Sequence, residues 1–285
     1  MTEPFDLAQT SAYQRWRSAK LSRLPRQASD LIVDVADPKS LQKEELLTLI
    51  KRCSEANMAI YRSPVIDEDK AIPLLLGQQL GLHRLDGNWL ADEDGVSPIA
   101  VAAPVGDRPA FIPYTNRPIK WHTDGYYQPP ERLIRAMVLH CVRPASSGGD
   151  TALLDHELAY IALRDANPEW IRALMAPDAM TIPERLDDDG IARPEQTGPV
   201  FSVDAQSGEL HMRYTARTRS IVWKNNTAAW GWCATTCCTT AVVLWMTPCN
   251  PGCCTGPGIW IASVLQKFIT NQPLALYQQA QAAIK

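Results

Sequence analysis

The chain has 285 residues, 46% of them hydrophobic, enough to bury a sizeable core. Its formal net charge of −3 and pI near 6.0 argue against nucleic acid or an anionic membrane surface as a partner. The first twenty residues hold no apolar signal-peptide core, and no run approaches the roughly 18 apolar residues of a spanning helix, so a cytoplasmic, membrane-free protein is expected.

In chain order, residues 11–29 read as a polar, basic helix or arm. Residues 40–56 form an amphipathic helix, with Leu41, Leu46, Leu47, Leu49 and Ile50 as its stripe and Ser40 as its N-cap. A strand follows at 58–62, then a helix over 68–80 closed by Gly81. From about residue 98, short runs broken by Pro and Gly predict strands at 99–103, 121–127, 134–142 and 150–154. A helix is predicted over 153–167 and on through 168–174, and a hairpin over 201–214. Early helices followed by many irregularly linked strands predict a mainly β fold with flanking helices (α+β), of the jelly-roll type. We expect one domain: an N-terminal helical and strand part (1–95), the first part of the β core (96–224), and a divergent or frame-shifted C-terminal part (225–285).

The chemistry centres on Trp121-His122-Thr123-Asp124-Gly125. Side chains two apart on an extended segment share a face, so His122 and Asp124 converge. With one more ligand they make a 2-His-1-carboxylate facial triad, which leaves adjacent positions open on a ferrous ion. Alone, an H-x-D pair is more often a surface coincidence. Gly148-Gly149-Asp150-Thr151, with Pro129-Pro130 and a strand between, makes the combination much more specific.

The text WHTDGYYQPPERLIRAMVLHCVRPASSGGDTALLDHELAY, together with RYTARTRSIVWK, resembles the TauD/TfdA family of iron(II)- and 2-oxoglutarate-dependent dioxygenases, including γ-butyrobetaine hydroxylase-like relatives. The resemblance covers roughly residues 30–224. It implies a double-stranded β-helix core, with His122 and Asp124 as iron ligands and Thr151 bonding the distal carboxylate of 2-oxoglutarate. It also implies a small, anionic organic substrate and O₂ as partners, with release of succinate and CO₂. Homo-oligomerisation is left open.

The chain departs from that family late. Its histidines are His83, His122, His140, His156 and His211, and no arginine follows Arg219. Gln266 stands where the family has its distal iron-binding histidine, and no arginine stands where the family clamps 2-oxoglutarate. Residues 225–266 contain no charged residue or histidine, where the chain's own 21% charged fraction predicts roughly nine. A compensated frameshift over about 225–258 or true divergence would each explain this. Six cysteines crowd the same stretch as two C-x3-C-C groups, Cys233/Cys237/Cys238 and Cys249/Cys253/Cys254. Two rival functions follow: a catalytically impaired binding protein on the family fold, or a Cys-rich metal module at 233–254.

Of the other histidines, His140 and His156 read as packed structural residues and His83 as exposed. His211 is the one substitute ligand to weigh. Arg213, Arg217 and Arg219 alternate, as either a solvated edge or a positive wall for an anion.

Overall fold

The computed structural model describes residues 3–65, 67–86, 95–101, 112–143, 145, 152–188, 190–217, 221–223 and 243–248. Helix α1 (Thr10–Ser22) opens the chain and is tied to the far end of the described core. The Tyr13 hydroxyl donates to Asp165 at 2.6 Å and Arg17 pairs with the same carboxylate at 2.8 Å. Lys20 is buried and lies 2.6 Å from Asp155, with Glu157 as its second carboxylate.

Helix α2 spans Lys43–Ala56 and is capped at Gln42 rather than Ser40. The physical reason is Glu45. Its carboxylate accepts the Gln42 N–H at 2.7 Å and the Ala36 N–H at 2.8 Å, so one side chain serves the helix start and the segment before it. The helix ends at Asn57, left-handed at φ 55°, whose side-chain amide donates to Asp155 and Glu157. The reversal delivers the chain into β2 (Met58–Ser63), parallel to β1 (Ile32–Asp34). Helix α3 (Ala71–Gln79) starts later than the predicted 68–80 and stops as expected at Gly81, where φ is +86°.

The predicted strand over 134–142 shrinks to β3 (Met137–Val138). Residues 99–101 form no extended strand, nor do 152–154, and the remainder of both predicted strands lies outside the described residues. Next come α4 (His156–Ala166) and α5 (Pro168–Leu174), one predicted helical run divided at Asn167, whose side chain accepts the Glu169 N–H. Pro168, lacking an N–H, is well placed at the first turn of α5.

The remaining strands are short: β4 (Met180–Ile182), β5 (Arg185–Asp187), β6 (Gly190–Arg193), β7 (Gln196–Gly198), β8 (Phe201–Val203), β9 (Leu210–Met212), β10 (Val222–Trp223) and β11 (Val243–Pro248). The hairpin predicted over 201–214 is β8–β9. Strand β4 lies between β10 and β7, antiparallel to both, and β5 pairs with β6. Strand β11 rises in a segment where sequence periodicity predicts no element. It fits between β2 and β3, parallel to both, giving the order β1-β2-β11-β3.

The described residues are thus mixed α+β, with four small sheets and no closed barrel among them. One core gathers Tyr160, Ile161, Ile171, Met180, Phe201 and Met212; a second surrounds Leu49, Tyr61, Ile72 and Leu76. Trp121, Tyr126 and Tyr127 pack on the edge of the first. No helix among the described residues is long and apolar enough to cross a membrane.

Candidate active site

The segment carrying His122 is not the strand predicted over 121–127. A single antiparallel bridge joins His122 to Thr215, and the chain turns immediately afterwards. The Ala216 N–H donates to the Trp121 carbonyl and the Thr123 N–H to the Tyr214 carbonyl, each at 2.8 Å. Thr123, fully buried, adds its hydroxyl, which accepts the Tyr214 N–H at 2.9 Å. Residues 121–123 are therefore fixed against 214–216 by backbone and by one side chain.

Gly125 makes the turn, at φ +62°. A β-carbon there would be strained in the left-handed region and would run into the Ile134 side chain. Gly125→Ala is expected to lower stability by about 1–3 kcal/mol, read as a lower urea midpoint. A midpoint unchanged from wild type would show that the turn relaxes freely. Beyond it, Asp86 anchors the loop by accepting from Gln128 at 3.1 Å and from Arg132 at 2.6 and 2.9 Å.

Within this frame His122 and Asp124 come together. His122 Nε2 lies 3.5 Å from Asp124 Oδ1. On the other side of the ring, Nδ1 is 2.8 Å from the Lys120 carbonyl and donates to it. That bond fixes the tautomer and leaves the Nε2 lone pair facing Asp124. Burial opposes charge on the ring, but the Asp124 hydrogen bond and charge, with the Lys120 carbonyl, prevail and raise the His122 pKa above the usual imidazole value. Asp124 Oδ2 is buried with no hydrogen-bond partner among the described residues.

An imidazole nitrogen beside a carboxylate that keeps one buried, uncommitted oxygen is a donor set a divalent cation takes. The residues present therefore fit a metal. They fit as a pair: no group of three or more His, Cys, Asp or Glu side chains able to hold a metal occurs among the described residues. Thr151, Gln266 and the six clustered cysteines lie outside the described residues.

His211 does not join the pair. It is buried in β9, opposite Ser202. His140 is buried against the Tyr61 hydroxyl at 3.3 Å, and His156 Nε2 donates to the Leu210 carbonyl at 2.8 Å, both structural as read. His83 is exposed.

The basic alternation divides in a way neither sequence reading anticipates. Arg213 is turned inward and donates to five carbonyls, those of Tyr126, Met180, Gln196, Gly198 and Pro199. Arg217 stays exposed near His122, and Arg219 lies outside the described residues. Arg213 ties the loop after Asp124 to β4 and β7, a role visible only once those carbonyls converge. Tyr126 stands edge-on to the His122 ring, 6.4 Å between centroids, and Tyr127 packs on Tyr126 at 5.2 Å.

The family described as "Taurine catabolism dioxygenase TauD, TfdA family" matches residues 24–230. Among characterised relatives, a uridine-5'-phosphate dioxygenase of Amycolatopsis sp is 37% identical over 114 residues, 40% of this chain and 37% of that protein. A uridine-5'-phosphate dioxygenase of Streptomyces sp is 34% identical over 128 residues, 43% of each chain. The matched stretches span less than half the length of either relative. No solved structure matches.

Proposed function

The chain belongs to the TauD, TfdA family of dioxygenases, and on that premise we propose that it is an iron(II)- and 2-oxoglutarate-dependent oxygenase. Its reaction hydroxylates a small anionic organic molecule with release of succinate and CO₂, on a single domain with a double-stranded β-helix core. The observation that carries this reading is the His122–Asp124 pair, 3.5 Å apart, with Asp124 Oδ2 buried and uncommitted. The relatives' names add a nucleoside monophosphate as the substrate class.

In this reading His122 Nε2 and Asp124 hold iron(II), which when bound supplies the oxidative chemistry with 2-oxoglutarate and O₂. The Lys120 carbonyl keeps the His122 proton on Nδ1, so Nε2 stays available as a ligand. Thr151 bonds a carboxylate of 2-oxoglutarate, and Gln266 takes the position of the third ligand. A glutamine carbonyl is a neutral and weaker ligand than imidazole. That substitution favours a second reading, in which the chain binds the same molecules without turnover.

Anaerobic titration with iron(II) and 2-oxoglutarate, followed through the metal-to-ligand charge-transfer band, tests the site. The band is expected in wild type, with His122→Ala weakening iron binding by more than about 100-fold. A band that survives His122→Ala would remove these residues from the site. Succinate release on admitting O₂ then separates the readings: release supports the oxygenase, and a band without release supports the binding protein.

A further inference from the structure

The pairing of Thr123 with Tyr214 differs from an ordinary rung of a β ladder. His122 opposes Thr215, so Thr123 faces Tyr214. In a regular antiparallel ladder such a pair exchanges two backbone bonds, one in each direction. The first is present: the Thr123 N–H donates to the Tyr214 carbonyl at 2.8 Å. The returning bond goes to a side chain. The Tyr214 N–H donates to the Thr123 hydroxyl at 2.9 Å, and that hydroxyl donates to the Tyr214 carbonyl at 3.4 Å. One proton and two lone pairs let a hydroxyl fill both roles.

A carbonyl accepting from Tyr214 would hold the peptide between Thr123 and Asp124 in strand geometry. With the hydroxyl in its place, that peptide is not tied to Tyr214 and the chain turns at once. Gly125 takes φ +62°, and its carbonyl accepts the Gln128 N–H at 2.8 Å. The turn leaves Asp124 Oδ1 3.5 Å from His122 Nε2. Thr123 itself points inward, 1% exposed, between two neighbours whose side chains are 29% and 30% exposed. The segment it grips is firmly held, since Arg213 donates to the carbonyls of Tyr126 and Gly198 and Thr215 is fully buried.

We propose that Thr123 is the positioning residue of the candidate metal centre, its hydroxyl setting the separation of His122 and Asp124. The inference rests on the metal-binding reading of that pair proposed above. Thr123→Val keeps the shape and removes the hydroxyl. The buried Tyr214 N–H must then seek the Thr123 carbonyl, which draws the turn back toward a strand and carries Asp124 away from the ring.

Titration of the full chain with manganese(II) alone tests this, bound metal being read from the loss of the free ion's electron paramagnetic resonance signal. All variants are measured below their melting temperatures, so that a loss of stability alone does not register. Thr123→Val should weaken manganese binding by about 10- to 100-fold, the range for a residue that orients metal ligands. Thr123→Ser keeps the hydroxyl and should recover most of the affinity. Ile171→Val, in the core and apart from this pairing, should leave the affinity unchanged. A folded valine variant with wild-type affinity overturns the proposal. So does a serine variant as weak as valine, which would place the effect in shape rather than in the hydroxyl. Should the valine variant fail to fold, Thr123→Ala and Thr123→Ser differ by the hydroxyl alone, and equal affinities overturn the proposal in the same way. Equal binding by wild type and His122→Ala would remove the metal reading and this inference with it. Binding that depends on His122 but ignores Thr123 would remove this inference alone.

Discussion

Arg213→Met is expected to destabilise the fold by about 3–5 kcal/mol, the range for removing one member of a buried charged network. Arg213 is buried, at 6% exposure. Its Nε donates to the Pro199 carbonyl at 3.2 Å, Nη1 to Gln196 at 3.3 Å and Tyr126 at 3.4 Å, and Nη2 to Gly198 at 2.9 Å and to Met180. Burial lowers its pKa to about 10, so it stays charged at neutral pH and its hydrogen bonds remain charge-assisted. Methionine fills comparable volume but leaves those carbonyls without this donor, at about 1–3 kcal/mol for each that water cannot reach. Lysine restores the charge at a single point and cannot address carbonyls on both sides of the fork, so Arg213→Lys should recover only part of the loss. Urea unfolding measures both variants. A methionine variant within about 1 kcal/mol of wild type would mean that the carbonyls are satisfied without the arginine.

Arg213 also marks the limit of what the sequence discloses. Alternation groups Arg213, Arg217 and Arg219, but it cannot say that the first turns inward while Arg217 stays exposed. That outcome depends on carbonyls from β4, the β7 region and the loop at Tyr126, brought together only by the tertiary fold. His122 and Asp124 were legible because their convergence is local, needing two residues and one turn. Even so, the turn belongs to Gly125 rather than to a continuous strand. Helix α2 was legible from its stripe, whereas its start was not: Glu45 reaches back to both Gln42 and Ala36, and that second partner lies nine residues away. Strand β11 was hidden for a different reason. A central parallel strand, paired on both edges, needs no alternation of apolar and polar residues, and Val243-Leu244-Trp245-Met246 has none.

Mild acid is expected to weaken the fold through His211. Burial in β9, reinforced by the charges of Arg135, His156 and Arg213, lowers the pKa of this imidazole to about 3. In the unfolded chain it titrates near its ordinary value of about 6.5. Between those two values the unfolded state takes up a proton that the folded state refuses. Stability is therefore fully present above about pH 6.5 and falls as the pH drops toward 3, by at most about 1.4 kcal/mol per pH unit. Between pH 6.5 and 4.5 the loss amounts to about 2–3 kcal/mol. Other groups titrate nearby. His140, also lowered by burial, acts in the same direction, whereas His122, raised above its ordinary value, acts in the opposite one. Asp204, held near 2 by backbone N–H groups of its turn, contributes only in stronger acid. The comparison that isolates His211 is thus the slope of stability against pH in wild type and in His211→Gln, measured by urea unfolding from pH 7.5 to 4.5. The variant should lose the His211 share of the slope while keeping that of His140 and His122. An unchanged slope would mean that His211 gains its proton in the folded protein as readily as in the unfolded chain, and that the burial of β9 does not exclude the charge.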